Sequence, residues 1–306
     1  MRIAAFFLVI AVSAGAWGQE RPKFSVRTNL VTVFATVRDA DGRIVKNLIR
    51  DDFTVLEDGV PQKIDYFSRE SDLPLTIGLL VDTSRSQTGV LDQERRASYT
   101  FLDRVLREDT DKAFVVHFDL RVETLQEPTS SRQNLEAALG KLKIPERDTT
   151  LVFSAIKDAS ESWMRQLQGR KAFILLSDGV AFREPTSIVT AIEFAQRADT
   201  IIYPIRFADP VPLSLPVVGA ILAMASEHGK KGLHRMARET GGAYNEVSND
   251  QPIEKIYSQI EEALRNQYSI GYTPGRIQPD GKYHRIKLIT KDRHLIVNAR
   301  TGYYAR

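Results

Sequence analysis

The sequence predicts an α/β fold of three layers, with helices on both faces of a mainly parallel central sheet, and a small β-sandwich-like domain formed from the N- and C-terminal segments. Three observations carry this. Between Leu73 and about Arg265, strand-like runs alternate with helical patterns, as in βαβ units around a parallel sheet. The strands of that region, such as Thr76-Ile77-Gly78-Leu79-Leu80-Val81 and Ala172-Phe173-Ile174-Leu175-Leu176, are continuously apolar, as strands covered on both faces must be. The two flanks instead show period-two runs broken by Asp-Gly turns, the pattern of antiparallel hairpins.

Taken in order, the chain begins with Arg2 and an apolar run from Ala4 to Ala16. Ala16-Trp17-Gly18 then places small residues where a signal peptidase reads, so residues 1–18 are expected to be an export signal cleaved after Gly18. The run is shorter than the roughly 20 residues a membrane span needs, and no later segment reads as a transmembrane helix. The expected location is periplasmic, secreted or at the cell surface. Residues 22–72 form an N-terminal β-segment, with Leu30 to Val37, Ile44-Val45 and Phe53 to Leu56 separated by Asp39-Ala40-Asp41-Gly42 and followed by Asp58-Gly59. A segment of about 50 residues buries too little apolar surface to stand alone. The C-terminal β-segment, 267–306, is its expected partner, because chain ends usually lie close in space.

Residues 73–266 form the α/β domain. Strands are expected at Leu75 to Val81, Lys112 to Phe118, Lys171 to Leu176 and Thr200 to Ile205. Helices are expected at Asp92 to Leu106, Ser131 to Leu142, Leu151 to Leu167, Ile188 to Arg197 and Leu233 to Glu239. Pro210 to Ala225 carries no charge. It reads either as a buried lid or extra helix on the body, or as an exposed apolar surface for a partner.

Composition narrows the function. The 306 residues carry 42 Lys+Arg against 39 Asp+Glu, a formal charge of +3 with no long basic run, so the electrostatic footprint of a nucleic-acid binder is missing. With no cysteine at all, disulfide scaffolds, thiolate zinc sites and thiol catalysis are excluded. Ligands in an open α/β sheet bind outside the carboxyl ends of the strands. Three such places are rich in oxygen: Asp82-Thr83-Ser84-Arg85-Ser86, Asp148-Thr149-Thr150 and Ser177-Asp178-Gly179. Carboxylates and hydroxyls converging on one edge describe a hard-cation site, since Mg²⁺ takes about six oxygen ligands. Each piece alone has a plainer reading, the first and second as helix caps and the third as an ordinary turn.

Asp82-x-Ser84-x-Ser86, then Thr150, then Asp178 is the pattern of a metal-ion-dependent adhesion site, and the middle of the chain resembles a von Willebrand factor type A domain. The flanks, Asp52-Phe53-Thr54-Val55-Leu56-Glu57-Asp58-Gly59 on one side and Leu264 to Tyr272 with Ala299 to Tyr304 on the other, are similar to the VWFA-related proteins of Acidobacteria. The resemblance implies a Rossmann-like, three-layer von Willebrand factor A domain over 73–266. It implies that Ser84, Ser86 and Thr150 coordinate a metal through hydroxyls, with Asp82 and Asp178 holding it through bridging waters. Mg²⁺ is the expected ion, with Mn²⁺ or Ca²⁺ as alternatives. Neutral ligands leave such a cation under-neutralised, so the implied partner is a protein, such as one of the cell envelope, that offers a Glu or Asp carboxylate. Arg85 and Asp148-Thr149 depart from the family pattern, which commonly has small residues there.

Catalysis finds little support. No Gly-x-x-x-x-Gly-Lys loop, His-Glu-x-x-His helix or Gly-x-Ser-x-Gly elbow occurs, and the five histidines (His117, His228, His234, His284, His294) are scattered. The expected function is a non-enzymatic, metal-dependent binding module. Two alternatives stand beside it: a metal-dependent hydrolase of envelope substrates, and a scaffold whose metal edge is vestigial.

Overall fold

A computed structural model describes residues 30–69, 73–146, 149–207, 216–275 and 281–305, with the side chains of 216 and 217 outside the description. The export signal read at 1–18, Asp148, and positions 210–215 of the apolar segment lie outside these residues. The N-terminal flank supplies β1 (Val31–Arg38), β2 (Phe53–Glu57), β3 (Val60–Gln62) and β4 (Tyr66–Ser68). The middle runs β5 (Leu75–Asp82), α1 (Leu91–Val105), β6 (Lys112–Phe118), β7 (Val122–Thr129), α2 (Arg132–Leu139), α3 (Val152–Ser162), β8 (Arg170–Leu176), α4 (Ile188–Arg197), β9 (Thr200–Arg206), α5 (Pro216–Thr240), β10 (Asn245–Glu246) and α6 (Ile253–Arg265). The C-terminal flank adds β11 (Tyr268–Tyr272), β12 (Tyr283–Thr290), β13 (Ile296–Ala299) and β14 (Gly302–Tyr304).

The central sheet has the order β10-β9-β8-β5-β6-β7, parallel except for β7 at one edge. Every residue of β5, β8 and β9 is buried. One face packs Leu79, Val81 and Ile174 against α1, α2 and α6 through Phe101, Leu135 and Ile260; the other packs Leu80, Phe114 and Phe173 against α3, α4 and α5 through Ile156, Ile192 and Leu233. These are the three layers the alternating pattern predicts. Gly78 is needed at the centre of β5, because a Cβ there would fall 2.5 Å from Phe114 Cζ and 2.7 Å from Phe173 Cδ1.

The two ends fold together into two four-stranded antiparallel sheets, β13-β1-β11-β4 and β14-β12-β2-β3. Val33, Val37, Val55, Tyr268, Ile270 and Leu288 form the shared core. The expected local pairing holds for β2 with β3 across Asp58-Gly59 and, as a single bridge, for Arg38 with Ile44 across Asp39 to Gly42, while β1 takes both its strand partners, β11 and β13, from the far end of the chain. This sandwich meets the α/β body at the amino ends of the parallel strands. Arg300 donates to Asp199 Oδ1 and to Thr32 O, each at 2.6 Å, and the Thr301 N–H donates to Glu239 O of α5 at 3.2 Å. The carboxyl ends face away from that junction.

Several elements differ from expectation. β7 is an edge strand whose Glu123, Gln126, Glu127 and Pro128 hide it from a propensity reading; charge and proline are how edges avoid pairing with other chains. α6 carries a clear stripe of Ile253, Ile256, Tyr257, Ile260 and Leu264, yet no helix was expected there. The helix expected to reach Leu167 stops at Ser162, where Trp163 leaves α-helical geometry for a 3-10 turn over Met164–Gln166, and Lys171 Nζ donates to the Met164 and Leu167 carbonyls, both at 3.1 Å. The helix expected at Leu233 to Glu239 begins at Pro216 and absorbs the apolar segment.

Candidate functional site

Matched register builds the edge. β5 pairs with β8 as far as Val81↔Leu176 and with β6 as far as Asp82↔Phe118, so Asp82 and the Ser177-Asp178 turn leave neighbouring strands at the same carboxyl edge. Asp82 is fully buried. Its Oδ1 accepts the Ser84 N–H at 2.9 Å and its Oδ2 accepts the Ser177 hydroxyl at 2.6 Å. The chain then turns so that the Ser84 and Ser86 hydroxyls stand 3.1 Å apart, with Gln87 Nε2 donating to Ser86 Oγ at 3.1 Å. Across the edge, Ser177 Oγ accepts the Gly179 N–H at 3.0 Å and Asp178 Oδ1 accepts the Val180 N–H at 2.8 Å. Gly179 has a φ of 78°, and its neighbour in space is the backbone of α5 at Gly229, where a Cβ would lie 2.7 Å from Gly179 C.

Thr150 is buried and bridges Phe182, the fourth residue past Asp178: its N–H donates to Phe182 O at 3.4 Å and its O accepts the Phe182 N–H at 3.3 Å. The fold therefore places all five residues, Asp82, Ser84, Ser86, Thr150 and Asp178, on the loops of one edge. It also removes the two capping readings. Ser84 is the N-cap of a single 3-10 turn, Arg85–Gln87, the N-cap of α1 is Val90 and that of α3 is Leu151, none of the three with a side-chain cap. Glu184 serves α3 instead, accepting the Phe153 N–H at 2.9 Å and the Ser154 hydroxyl at 2.6 Å. Asp178-Gly179 is a turn, as its plainer reading has it, but one whose turn hydroxyl ties directly to Asp82.

Burial, and after it the Asp178 charge, push the Asp82 carboxyl up to about 7, against the hydrogen bonds from Ser177 and Ser84. Behind Asp82 lies a residue that sequence reading missed. Glu94 of α1 is fully buried, neither carboxyl oxygen has a hydrogen-bond partner, and burial together with the Asp82 charge holds its pKa well above the usual carboxylate range. Gln87 Oε1 is likewise buried and unpartnered. The signal for Glu94 was its place in the apolar stripe Leu91, Glu94, Ala97, Phe101, where a charge is out of pattern. Ser177 was also missed as a partner of Asp82. Thr83 is locked beneath the edge by Asp119 Oδ2 at 2.8 Å and His117 Nδ1 at 3.1 Å, which gives His117 of β6 a structural place.

One further cluster of ionisable groups lies on the sandwich. Glu57, Asp58 and His284 bring ligand-type atoms within 4.8 Å of one another. Their hydrogen bonds account for them: Asp58 accepts from Arg285 N–H at 2.9 Å and meets His284 Nδ1 at 2.8 Å, while Glu57 Oε2 accepts from the Tyr272 and Tyr303 hydroxyls at 2.6 and 3.1 Å. The phenols of buried Tyr272 and half-buried Tyr303, satisfied by one carboxylate, pin β2 to β11 and β14.

Among curated proteins, none matches the chain. Among solved structures, proximal thread matrix protein 1 from the mussel byssus, in a form with a zinc-occupied MIDAS motif, aligns at 15% identity over 68% of this chain and 49% of its own, with a TM-score of 0.53. This chain thus spans about half the length of that protein. The conserved hypothetical protein BatB of Bacteroides thetaiotaomicron aligns at 18% identity over 63% of this chain and 98% of its own, with a TM-score of 0.47. The vWF domain of the type V pili tip protein Mfa5 from Porphyromonas gingivalis aligns at 12% identity over 63% and 95%, with a TM-score of 0.49. At 15% identity the likeness to the byssus protein is one of fold. The sequence profile of the von Willebrand factor type A domain matches residues 76–259, more than half of the chain and all of the three-layer body but its first residue and the last turns of α6, and the chain belongs to that family.

Proposed function

We propose that the chain is an exported, non-enzymatic binding module whose carboxyl edge holds a divalent cation and, through it, an acidic group of a protein partner. The observation that carries this reading is the anchoring of Asp82: both its oxygens are fixed from inside, by Ser84 N–H and Ser177 Oγ, and the same turn sets the Ser84 and Ser86 hydroxyls side by side. The residues present fit a hard cation. The donor set is all oxygen, and the buried acids Asp82 and Glu94 carry charge that no cationic side chain answers among the described residues.

In this reading Ser84, Ser86 and Thr150 hold the ion through hydroxyls, while Asp82 and Asp178 orient those hydroxyls and the ion's waters. Mg²⁺ is the proposed ion, with Mn²⁺ or Ca²⁺ as alternatives. Bound there, the cation supplies an open coordination position and positive charge for an outside carboxylate. Asp82, deep below the surface, cannot itself meet a partner; its role is to keep the hydroxyls aimed. Against the hydrolase alternative, Ser84 Oγ meets Ser86 Oγ and not a histidine, and His117 bonds the hydroxyl of fully buried Thr83. No helix among the described residues is long and apolar enough to cross a membrane.

The test is retention of envelope proteins on the immobilised chain, in Mg²⁺ and in chelator. The expected result is a bound protein that chelator releases and that the Ser84→Ala chain fails to hold. Retention unchanged by chelator, or metal-dependent turnover of ester or phosphoester substrates lost in Asp178→Ala, would contradict the proposal.

A further inference from the structure

α5 is longer than its place in the fold requires. Its carboxyl end is pinned at the start of β9, where Thr240 Oγ1 accepts the Ile202 N–H at 2.9 Å, and Ser226 is pinned at the end of β9 by Arg206 Nη2 at 2.6 Å. The stretch from Ser226 to Thr240 therefore spans the sheet. At about 1.5 Å per residue, the ten residues 216–225 project roughly 15 Å past the carboxyl edge. They do so beside the candidate metal site, because α5 touches the Asp178-Gly179 backbone at Gly229.

This projecting arm has no polar side chain from Pro216 to Ala225. Val218, Ile221, Leu222 and Met224 are 48%, 61%, 47% and 65% exposed. Across the edge, Phe182 is 52% exposed where it pairs with Thr150, and Arg183 lies over its ring at 5.5 Å. The guanidiniums of Arg183 and of exposed Arg85, which stands between Ser84 and Ser86, have no carboxylate partner among the described residues. The edge thus combines an apolar arm and an aromatic with unanswered positive charge.

We infer that the α5 arm and Phe182 form the docking surface for an acidic amphipathic helix of a partner protein, whose apolar stripe packs on 218–224 and whose carboxylates reach Arg85, Arg183 and the metal edge. The inference deepens the function proposed above and rests on it. Charge decides among occupants. A symmetric pair of copies would bring the Arg85 and Arg183 guanidiniums of one face against those of the other. A helix lying in a lipid surface keeps a polar face toward water, and 216–225 has none. An acidic helix satisfies both the apolar and the cationic parts.

The experiment uses the full chain and a labelled helical peptide with a leucine stripe and a glutamate polar face, followed by fluorescence anisotropy. Controls are the same peptide with lysine for glutamate, and vesicles of neutral and anionic phospholipid. The expected result is binding of the acidic peptide only, weakened about tenfold or more by Ile221→Ser with Met224→Ser, at an unchanged thermal midpoint. Ser84→Ala should remove the Mg²⁺-dependent part and leave the arm-dependent part. Arm-dependent binding that neither Mg²⁺ nor Ser84→Ala alters would overturn the metal reading and uphold the docking surface. Equal binding by the arm variant, vesicle binding in place of peptide binding, or a dimer that the arm variant converts to monomer would each overturn the docking surface. So would a lowered midpoint in the arm variant, which would show that the arm is covered by its own chain.

Discussion

Asp82 joins full burial to a neighbouring carboxylate, and this makes its protonation a handle on the site. In the metal-free chain its carboxyl is held up at about 7, against 3.8 for the ordinary group. Folding then takes up a proton, so this residue's contribution to stability falls as pH rises from about 4 through 7. A cation competes with that proton, and Mg²⁺ should raise the thermal midpoint more at pH 8 than at pH 6; an equal or reversed increment would contradict the reading. Glu94 obeys the same sign. Replacing it by Gln removes a buried carboxyl that no group answers, and the metal-free variant should gain about 1–3 kcal/mol at pH 8, a gain that shrinks toward pH 4.5, as thermal melts at the two pH values would show. That Asp82, Ser84, Ser86, Thr150 and Asp178 share one edge was legible because each stands at the end of an apolar strand or the start of a helix, and spacing along the chain marks such places. Glu94 and Ser177 were not, because a charge in a helix ordinarily reads as a solvated face and only the packing of α1 beneath Asp82 shows otherwise.

Among the elements, β5 bears the tightest constraint. A methyl at Gly78 would meet two phenylalanine rings, one from each neighbouring strand, and Gly78→Ala should cost about 1–3 kcal/mol in urea unfolding. Asp111 secures the other end of the same strand. It accepts the Leu75 N–H at 2.9 Å and a fork from Arg107 at 3.0 Å on each oxygen. Although burial opposes ionisation, these bonds and the Arg107 charge hold its pKa below the ordinary value. Its contribution is complete above pH 4 and is lost as pH falls through the lower, folded value, so Asp111→Asn should destabilise the chain at pH 7 and flatten the acid limb of its stability profile. Continuous apolar runs made β5, β8 and β9 plain in the sequence. The half-exposed β7 was hidden by its glutamates and proline, and the length of α5 by the change from apolar to charged residues at Ser226 to Lys231, which divides one helix into two patterns.

At the scale of the whole molecule, both flanks close into one sandwich at the amino edge and, among the described residues, leave the carboxyl edge uncovered by it. β1 pairs with β11 and β13, and β2 with β12, so removing 267–306 leaves two core strands without those partners. The truncated chain should bind an apolar dye and melt without a cooperative transition; an unchanged melt would contradict the joint sandwich. That the ends meet was legible from their shared period-two pattern, whereas which strand pairs with which was not, since nothing local sets a pairing across more than two hundred residues. The most direct test of the central claim is a calorimetric titration of Mg²⁺ into the purified chain and into Ser84→Ala. A single saturable binding event in the parent, absent from the variant, is the predicted result; no binding by the parent, or equal binding by both, would contradict it.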